Sequence, residues 1–393
     1  MRVMTQAERM NRLPKQFFAT LTRKVAELQK SAPDLINLGQ GNPDQPTPPH
    51  IVDALCEAAR DPVNHRYGSF RGESYLREAI CSYYEREFGV SLDPAREVAI
   101  LFGGKAGLVE VSQCILNEGD LALVPDPGYP DYQSGVALAG AHMEYMPLLR
   151  ENDFLPDYRS IDEEVARRAK LMFLNYPNNP TAAVATPDFF EETVRFAKRS
   201  HTVVVHDFAY GAIGFSEKPV SFLATKGAKD VGIEVYTLSK TYNMAGWRVG
   251  FALGREDVIE SLNLYQDHAY VSLFGAIQRA AAVALTESQA SVRELVDLYR
   301  KRRDRFLQTL SDQGVPVLQS QGSFFVWLPV PEGVSSESFT DQLLYDEHVA
   351  VAAGNGFGRY GEGYVRIGLL TDETRLYAAA LRIARMYHRA ARG

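Results

Sequence analysis

Cysteine is scarce in this 393-residue chain: Cys56, Cys81 and Cys114 are its three, far apart and without a CxxC pair. That spacing offers neither a disulfide framework nor a thiolate zinc site. Each falls in an apolar helical pattern where a thiol acts as a small hydrophobe, so a reducing cytoplasm and no bound metal are expected. Long apolar runs are missing too. Nothing approaches the ~20 residues that span a bilayer, and the opening Met1-Arg2-Val3-Met4-Thr5-Gln6-Ala7-Glu8 has no signal-peptide core. Phe18, Leu21, Val25 and Leu28 recur at helical spacing with Arg23, Lys24 and Lys30 between them. Glu8 and Glu27 interrupt that basic character, so a helix docked on its own domain is expected, not a membrane-surface or transit helix. Basic residues are in deficit, 42 Lys and Arg against 49 Asp and Glu for a formal charge of -7, which argues against a nucleic-acid partner. What is present, 46% hydrophobic and 23% charged residues, is a globular composition, long enough for two domains.

The chemistry concentrates in Tyr236-Thr237-Leu238-Ser239-Lys240-Thr241-Tyr242-Asn243-Met244-Ala245-Gly246-Trp247-Arg248-Val249-Gly250. Lys240 follows an apolar run, and a nearby cation such as Arg248 helps its amine lose a proton near neutral pH, as a Schiff-base nucleophile must. Thr237, Ser239 and Arg248 suit a phosphate dianion, two hydroxyls and a permanently charged fork on one short loop. The plain alternative is a solvated lysine after a strand.

Six apolar runs alternate with helical patterns: Val98 to Phe102, Leu121 to Val124, Lys170 to Leu174, Thr202 to Val205, Ile233 to Tyr236 and Val249 to Leu253. This is the signature of an α/β sheet covered on both faces, whose ligands bind beyond the carboxyl ends of the strands. Those ends carry Gly103-Gly104-Lys105, which would aim free amides at an anion from a helix N-terminus; Tyr129, placed to stack on a flat ring; and Asn179-Pro180, either a cis bond or an ordinary Asn-Pro turn. They also carry Asp207, half buried and in want of a cation such as a protonated ring nitrogen. His206 beside it reads as a structural histidine. Gly39 to Pro49 reads as a rigid segment crossing between domains, with a carboxylate contact at Gly41. Later, residues 267–286 and 288–310 are helical, and the basic run Arg300 to Arg305 is a solvated helix face. Val315 to Leu318 and Ser323 to Leu328 alternate like strands. Gly354, Gly356, Gly358, Gly361 and Gly363 mark a flexible turn rather than a phosphate loop, and Arg366 inside an apolar strand calls for an acidic partner, a substrate carboxylate being suitable.

Ser239-Lys240-Thr241-x-x-Met244-x-Gly246-Trp247-Arg248, preceded by Asn179-Pro180-Thr181 and Asp207-x-Ala209-Tyr210, resembles the class I/II pyridoxal-phosphate aminotransferases of fold type I, over nearly the whole chain. The resemblance implies a large domain with a seven-stranded mixed, mostly parallel sheet sandwiched by helices and a smaller α/β domain from both chain ends. The expected divisions are 1–47 for an N-terminal arm packing with the small domain, 48–287 for the cofactor domain and 288–393 for the small domain, which closes over substrate. Lys240 would carry pyridoxal 5'-phosphate as a Schiff base and shuttle the proton between substrate Cα and cofactor C4′. Asp207 would keep the pyridine nitrogen protonated; Asn179 and Tyr210 would bond the ring oxygen; Tyr129 would stack on the ring. Gly104, Lys105, Thr237, Ser239 and Arg248 would cradle the phosphate with Tyr67 from a neighbouring subunit, implying a homodimer with shared sites. Arg366, with Asn179 and Gly41, would hold the substrate carboxylate. Two departures from the family pattern, Thr237 for serine or glycine and Ala182 for glycine, leave the chemistry intact.

Transamination between an L-amino acid and a 2-oxo acid is the expected reaction. Leu13-Pro14-Lys15-Gln16-Phe17-Phe18 and Leu38 to Pro48 resemble the methionine-salvage members, which aminate 2-oxo-4-methylthiobutanoate. Leu262 to Phe274 carries no arginine for a distal carboxylate, which favours an apolar side chain over aspartate-, aromatic- or LL-diaminopimelate-type substrates. A non-catalytic protein sensing the cofactor is the alternative of another class.

Overall fold

The computed structural model describes residues 6–14 and 17–392. Met1 to Thr5 of the opening, and Lys15 and Gln16 of the Leu13 to Phe18 stretch, lie outside the described residues. Seven strands form the main sheet: β2 (Val98–Leu101), β3 (Leu121–Asp126), β4 (His142–Pro147), β5 (Ala169–Asn175), β6 (Val203–Asp207), β7 (Gly232–Thr237) and β8 (Gly250–Gly254). Their order is β2-β8-β7-β6-β5-β3-β4, with β8 antiparallel to both neighbours and the remaining pairs parallel. Alternation sorts the side chains between two layers. Val98, Ile100, Leu121 and Leu123 join one apolar cluster; Ala99, Leu101, Ala122 and Val124 join the other, under the helix Gly104–Ile115. Because both faces are covered, most of these strands are largely apolar and readable as runs.

β4 is the exception. It lies at the sheet edge with His142, Glu144 and Tyr145 exposed, so no apolar run marks it. The helical pattern over residues 267–286 breaks into two helices, Glu256–Ala269 and Gly275–Thr286, with Tyr270 to Phe274 extended between them. Val315 to Leu318 forms no strand: Val315 packs into an apolar core, but the segment finds no ladder partner. Cys56 is exposed rather than packed.

The two chain ends build the second unit. β1 (Ile36–Asn37) pairs in parallel with β10 (Val349–Ala350), and β9 (Phe325–Pro329), β11 (Ala352–Ala353) and β12 (Tyr364–Gly368) make an antiparallel sheet in the order β11-β12-β9. Ile36 and Leu38 share their core with Leu310, Val326 and Ile383. The segment between the units is fastened by Asp44, which accepts from Arg302 Nη1 and Nη2 at 2.9 and 2.8 Å. Arg302 is 5% exposed, so the basic run is not wholly a solvated face: one of its arginines is buried to clamp the crossing segment.

Candidate active site

Lys240 lies on a single helical turn, Leu238–Thr241, that begins where β7 ends; Thr237 caps the turn by accepting from the Ser239 amide at 3.2 Å. The lysine Nζ donates to the Gly41 carbonyl at 2.8 Å. Burial lowers its pKa to about 8, helped by the guanidinium groups of Arg366 and Arg248 and opposed by Asp207. A useful fraction of its amine is therefore unprotonated near neutral pH.

Asp207 ends β6 and is buried, more deeply than half. Its Oδ2 accepts from the Tyr132 hydroxyl at 2.7 Å and its Oδ1 from the Ala209 amide at 3.2 Å. Burial raises its pKa while these hydrogen bonds hold it down. Among the described residues no cation pairs with it directly. Asn175 ties this strand end to the next loop: its Nδ2 donates to Asp207 O and its Oδ1 accepts from the Asn179 amide, both at 2.8 Å. The Asn179-Pro180 bond that follows is cis.

Arg366 faces the same cavity from β12. It is 2% exposed, and its Nη1 and Nη2 donate to Asn179 Oδ1 and Gly39 O at 2.9 and 3.0 Å. Its Nε has no partner, and its guanidinium carbon sits 4.2, 4.8 and 5.1 Å from the ring centres of Phe325, Phe357 and Phe18. Burial lowers its pKa to about 10, so it stays charged at neutral pH. The acidic partner that a buried arginine needs is supplied by no described side chain; the place is open for an anionic ligand.

A third corner is built for a dianion. The helix Gly104–Ile115 starts without a side-chain cap, leaving amides free. Gly103, at φ +88, lets Arg248 lie against its Cα, where a Cβ would collide with the guanidinium. Arg248 itself is exposed and left-handed at φ +60. The Thr237 and Ser239 hydroxyl oxygens stand 2.9 Å apart beside them. Lys105 lies at the helix start, and its exposed ammonium pairs with Asp131 at 3.1 Å.

Lys240, Asp207, Asn179, Arg366, Arg248 and the helix start at Gly104 line one cavity of about 350 Å3, together with Tyr129 and Tyr210. Tyr210 is buried edge-on to Phe324 and Phe325. An uncapped helix start with an arginine, an amine of depressed pKa, and a buried carboxylate awaiting a cation fit a flat, phosphate-bearing pyridine aldehyde, and pyridoxal phosphate has that donor and acceptor set. Tyr67 is not brought in: it is 88% exposed and away from the cavity of its own chain. His206 is structural, its Nδ1 2.7 Å from the buried Glu234. Ala182 sits at φ +61, a left-handed conformation that explains why glycine is the usual residue there.

Sequence reasoning missed Tyr132, Asn175, Phe18 and Phe325. Tyr132 had a faint signal, one helical turn beyond Tyr129. Phe18 and Phe325 read as ordinary core residues because only the packing of both chain ends brings them to Arg366.

Comparison with known proteins agrees with this architecture. A family model described as aminotransferase class I and II matches residues 33–381. L-glutamine--4-(methylsulfanyl)-2-oxobutanoate aminotransferase of Bacillus subtilis is 61% identical over 382 residues, 97% of this chain and 96% of that protein. LL-diaminopimelate aminotransferase of Moorella thermoacetica is 45% identical, covering 98% of both chains. A substrate-bound structure of BacF from Bacillus subtilis superposes with a TM-score of 0.94 at 46% identity, over 98% of each chain.

Proposed function

This chain belongs to the class I and II aminotransferases, pyridoxal-phosphate enzymes, and we propose that it transfers an amino group to a 2-oxo acid with an apolar or thioether side chain, 2-oxo-4-methylthiobutanoate giving methionine. The observation that carries the substrate reading is the aromatic wall on the Arg366 side of the cavity, Phe18 and Phe325, which suits a methylthio group. The 61% identical Bacillus subtilis relative, named for that oxo acid and for L-glutamine, supports it and makes glutamine the first donor to try. LL-diaminopimelate is the second reading, favoured by relatives of that name at 43 to 45% identity.

When bound, pyridoxal phosphate supplies an aldehyde for the amino group and a ring that withdraws the electron pair of the broken Cα–H bond. Lys240 Nζ would hold the aldehyde carbon and, when free, would take the proton from the substrate Cα. Asp207 keeps a proton on the ring nitrogen. Asn179, whose Oδ1 is engaged by Arg366, has its amide nitrogen left for the ring oxygen, which Tyr210 also bonds. Tyr129 stacks on the ring, and Gly104, Lys105, Thr237, Ser239 and Arg248 hold the phosphate. Arg366 binds the substrate carboxylate with Asn179 and Gly41, and the C-terminal unit closes to exclude water.

We place the enzyme in the cytoplasm as a homodimer. Tyr67, Phe70, Leu264 and Phe274 are exposed apolar residues that a second copy would cover, carrying Tyr67 to the partner's phosphate site. Single-turnover reactions with methionine, glutamine, LL-diaminopimelate, aspartate and phenylalanine test the substrate, and preference for aspartate or diaminopimelate defeats it. A yellow preparation whose visible band moves with amino acid, and is lost in Lys240→Ala, is expected.

A further inference from the structure

The glycine-punctuated loop from Gly354 to Gly363 meets the site described above only through the Phe357 ring on Arg366, and it is not the flexible turn that its composition suggests. It folds into two short 3-10 turns, Gly354–Phe357 and Arg359–Gly361. These close on each other so tightly that a Cβ at Gly354 or Gly361 would overlap the other's carbonyl.

We propose that this loop is a backbone nest for the chain's own Asp126, and that Asp126 is a positioning residue: it fixes the substrate-carboxylate wall of Arg366 and Phe357 against the cofactor wall of Tyr129. Asp126 is the last residue of β3 and is 4% exposed. Its Oδ2 accepts from the Arg359 amide at 3.1 Å and its Oδ1 from the Tyr360 amide at 2.9 Å. Successive amides converging on one carboxylate are the geometry of an anion nest. Gly358, at φ +137, passes so close that any Cβ there would overlap the carboxylate. Beside this pair the Gly128 amide donates to Phe357 O at 2.8 Å.

The two ends of the contact lead to two different groups of the cavity lining, Tyr129 and Arg366. Gly128 is bonded to Tyr129, whereas the Phe357 ring lies 4.8 Å from the Arg366 guanidinium carbon. Among the described residues no hydrogen bond or ion pair joins a phosphate-cradle side chain to the nest. Loosening it therefore shifts the carboxylate-binding group relative to the ring-stacking group, while the grip on the phosphate stays. The inference rests on the reading of Arg366 as the carboxylate ligand. Since every amino acid carries that carboxylate, the loss should be the same for all substrates.

The test is steady-state kinetics of the holoenzyme at saturating 2-oxo acid. Asp126→Asn, which turns an amide toward one of the two N–H donors, is expected to raise KM for methionine and for glutamine alike by roughly tenfold or more, as for a lost charge-assisted hydrogen bond. kcat and pyridoxal-phosphate affinity should stay close to wild type. Gly358→Ala pushes on the same carboxylate from the other side, and is expected to do the same where Asp126→Asn fails to fold. Unchanged KM in both variants overturns the inference, as does a loss of cofactor affinity as large as the rise in KM. Arg366→Ala separates the two readings. A raised KM there with an unchanged KM in the nest variants defeats only the nest, whereas an unchanged KM in Arg366→Ala defeats the carboxylate reading itself.

Discussion

The Tyr132 hydroxyl donates to Asp207 Oδ2 across 2.7 Å, and the tyrosine cannot exchange this partner for water: Tyr132 is fully buried, stacked 4.9 Å from Phe173. It is the one side chain among the described residues that hydrogen-bonds this carboxylate. Burial works to protonate Asp207 and the tyrosine works against it, so Tyr132 holds in place the negative charge on which a protonated ring nitrogen depends.

Tyr132→Phe removes that donor and nothing else of size. The Asp207 pKa rises, and the affinity of cofactor-stripped protein for pyridoxal phosphate should fall by roughly fivefold to thirtyfold, the ~1–2 kcal/mol of one hydrogen bond to a buried charge. Titration of the stripped protein by tryptophan quenching measures it. An affinity equal to wild type would show that Ala209 alone keeps the carboxylate ionised.

The lowered pKa of Lys240 fixes a pH dependence. Only the unprotonated amine attacks the aldehyde, so cofactor capture by stripped protein should speed up about tenfold per pH unit up to about pH 8 and then level off. An unperturbed lysine would keep accelerating toward its ordinary value of 10.5. Between those values the unfolded chain binds more protons than the folded one, so this group makes stripped protein gain stability as pH rises through that window. Stopped-flow absorbance across pH 6 to 10 gives the profile, and a rise continuing past pH 9 would contradict it.

Glu234 shows how a buried carboxyl group becomes purely structural. It accepts from the Tyr84 hydroxyl at 2.8 Å, Ser221 Oγ at 2.8 Å, the Phe222 amide at 2.9 Å and His206 Nδ1 at 2.7 Å. Glu234→Ala strands all four donors away from water, so it should cost about 3–5 kcal/mol in denaturant unfolding. A loss below about 1 kcal/mol would mean that water replaces the carboxylate.

What could be read before folding divides along a physical line. Six strands of the main sheet announced themselves because burial on both faces forces apolar runs, as at the buried edge strand β2, while β4 stayed silent because His142, Glu144 and Tyr145 are exposed and need no such run. Lys240, Asp207 and Asn179 were legible as polar groups placed at or just after such runs, and they line one cavity. Tyr132 and the pairing of Asp126 with Gly358 were not, since each depends on elements that meet only in three dimensions. Arg302 misled for the same reason: inside a basic run nothing distinguishes the one arginine whose partner, Asp44, arrives from 258 positions away.

Arg366 is the place where stability and function should part most clearly. Its charge is buried without an acid, which costs the ligand-free protein free energy that a bound carboxylate recovers. Arg366→Met keeps a long, polarizable side chain against Phe18, Phe325 and Phe357 while deleting that charge. Asn179 Oδ1, which borders a cavity that water can enter, and the buried Gly39 O lose their donor, a cost that removing the buried charge offsets, so the unfolding free energy of stripped protein should change by no more than about 2 kcal/mol. Function should not be spared. Truncating one partner of a buried ion pair costs ~2–5 kcal/mol, so KM for amino acids should rise from roughly thirtyfold to several thousandfold. The decisive control is an amine lacking the carboxylate, such as 3-(methylthio)propylamine beside methionine. The variant should treat this poor substrate as wild type does, which narrows the preference for the amino acid by the same factor. Equal losses with both substrates would mean that Arg366 shapes the cavity and does not hold the carboxylate.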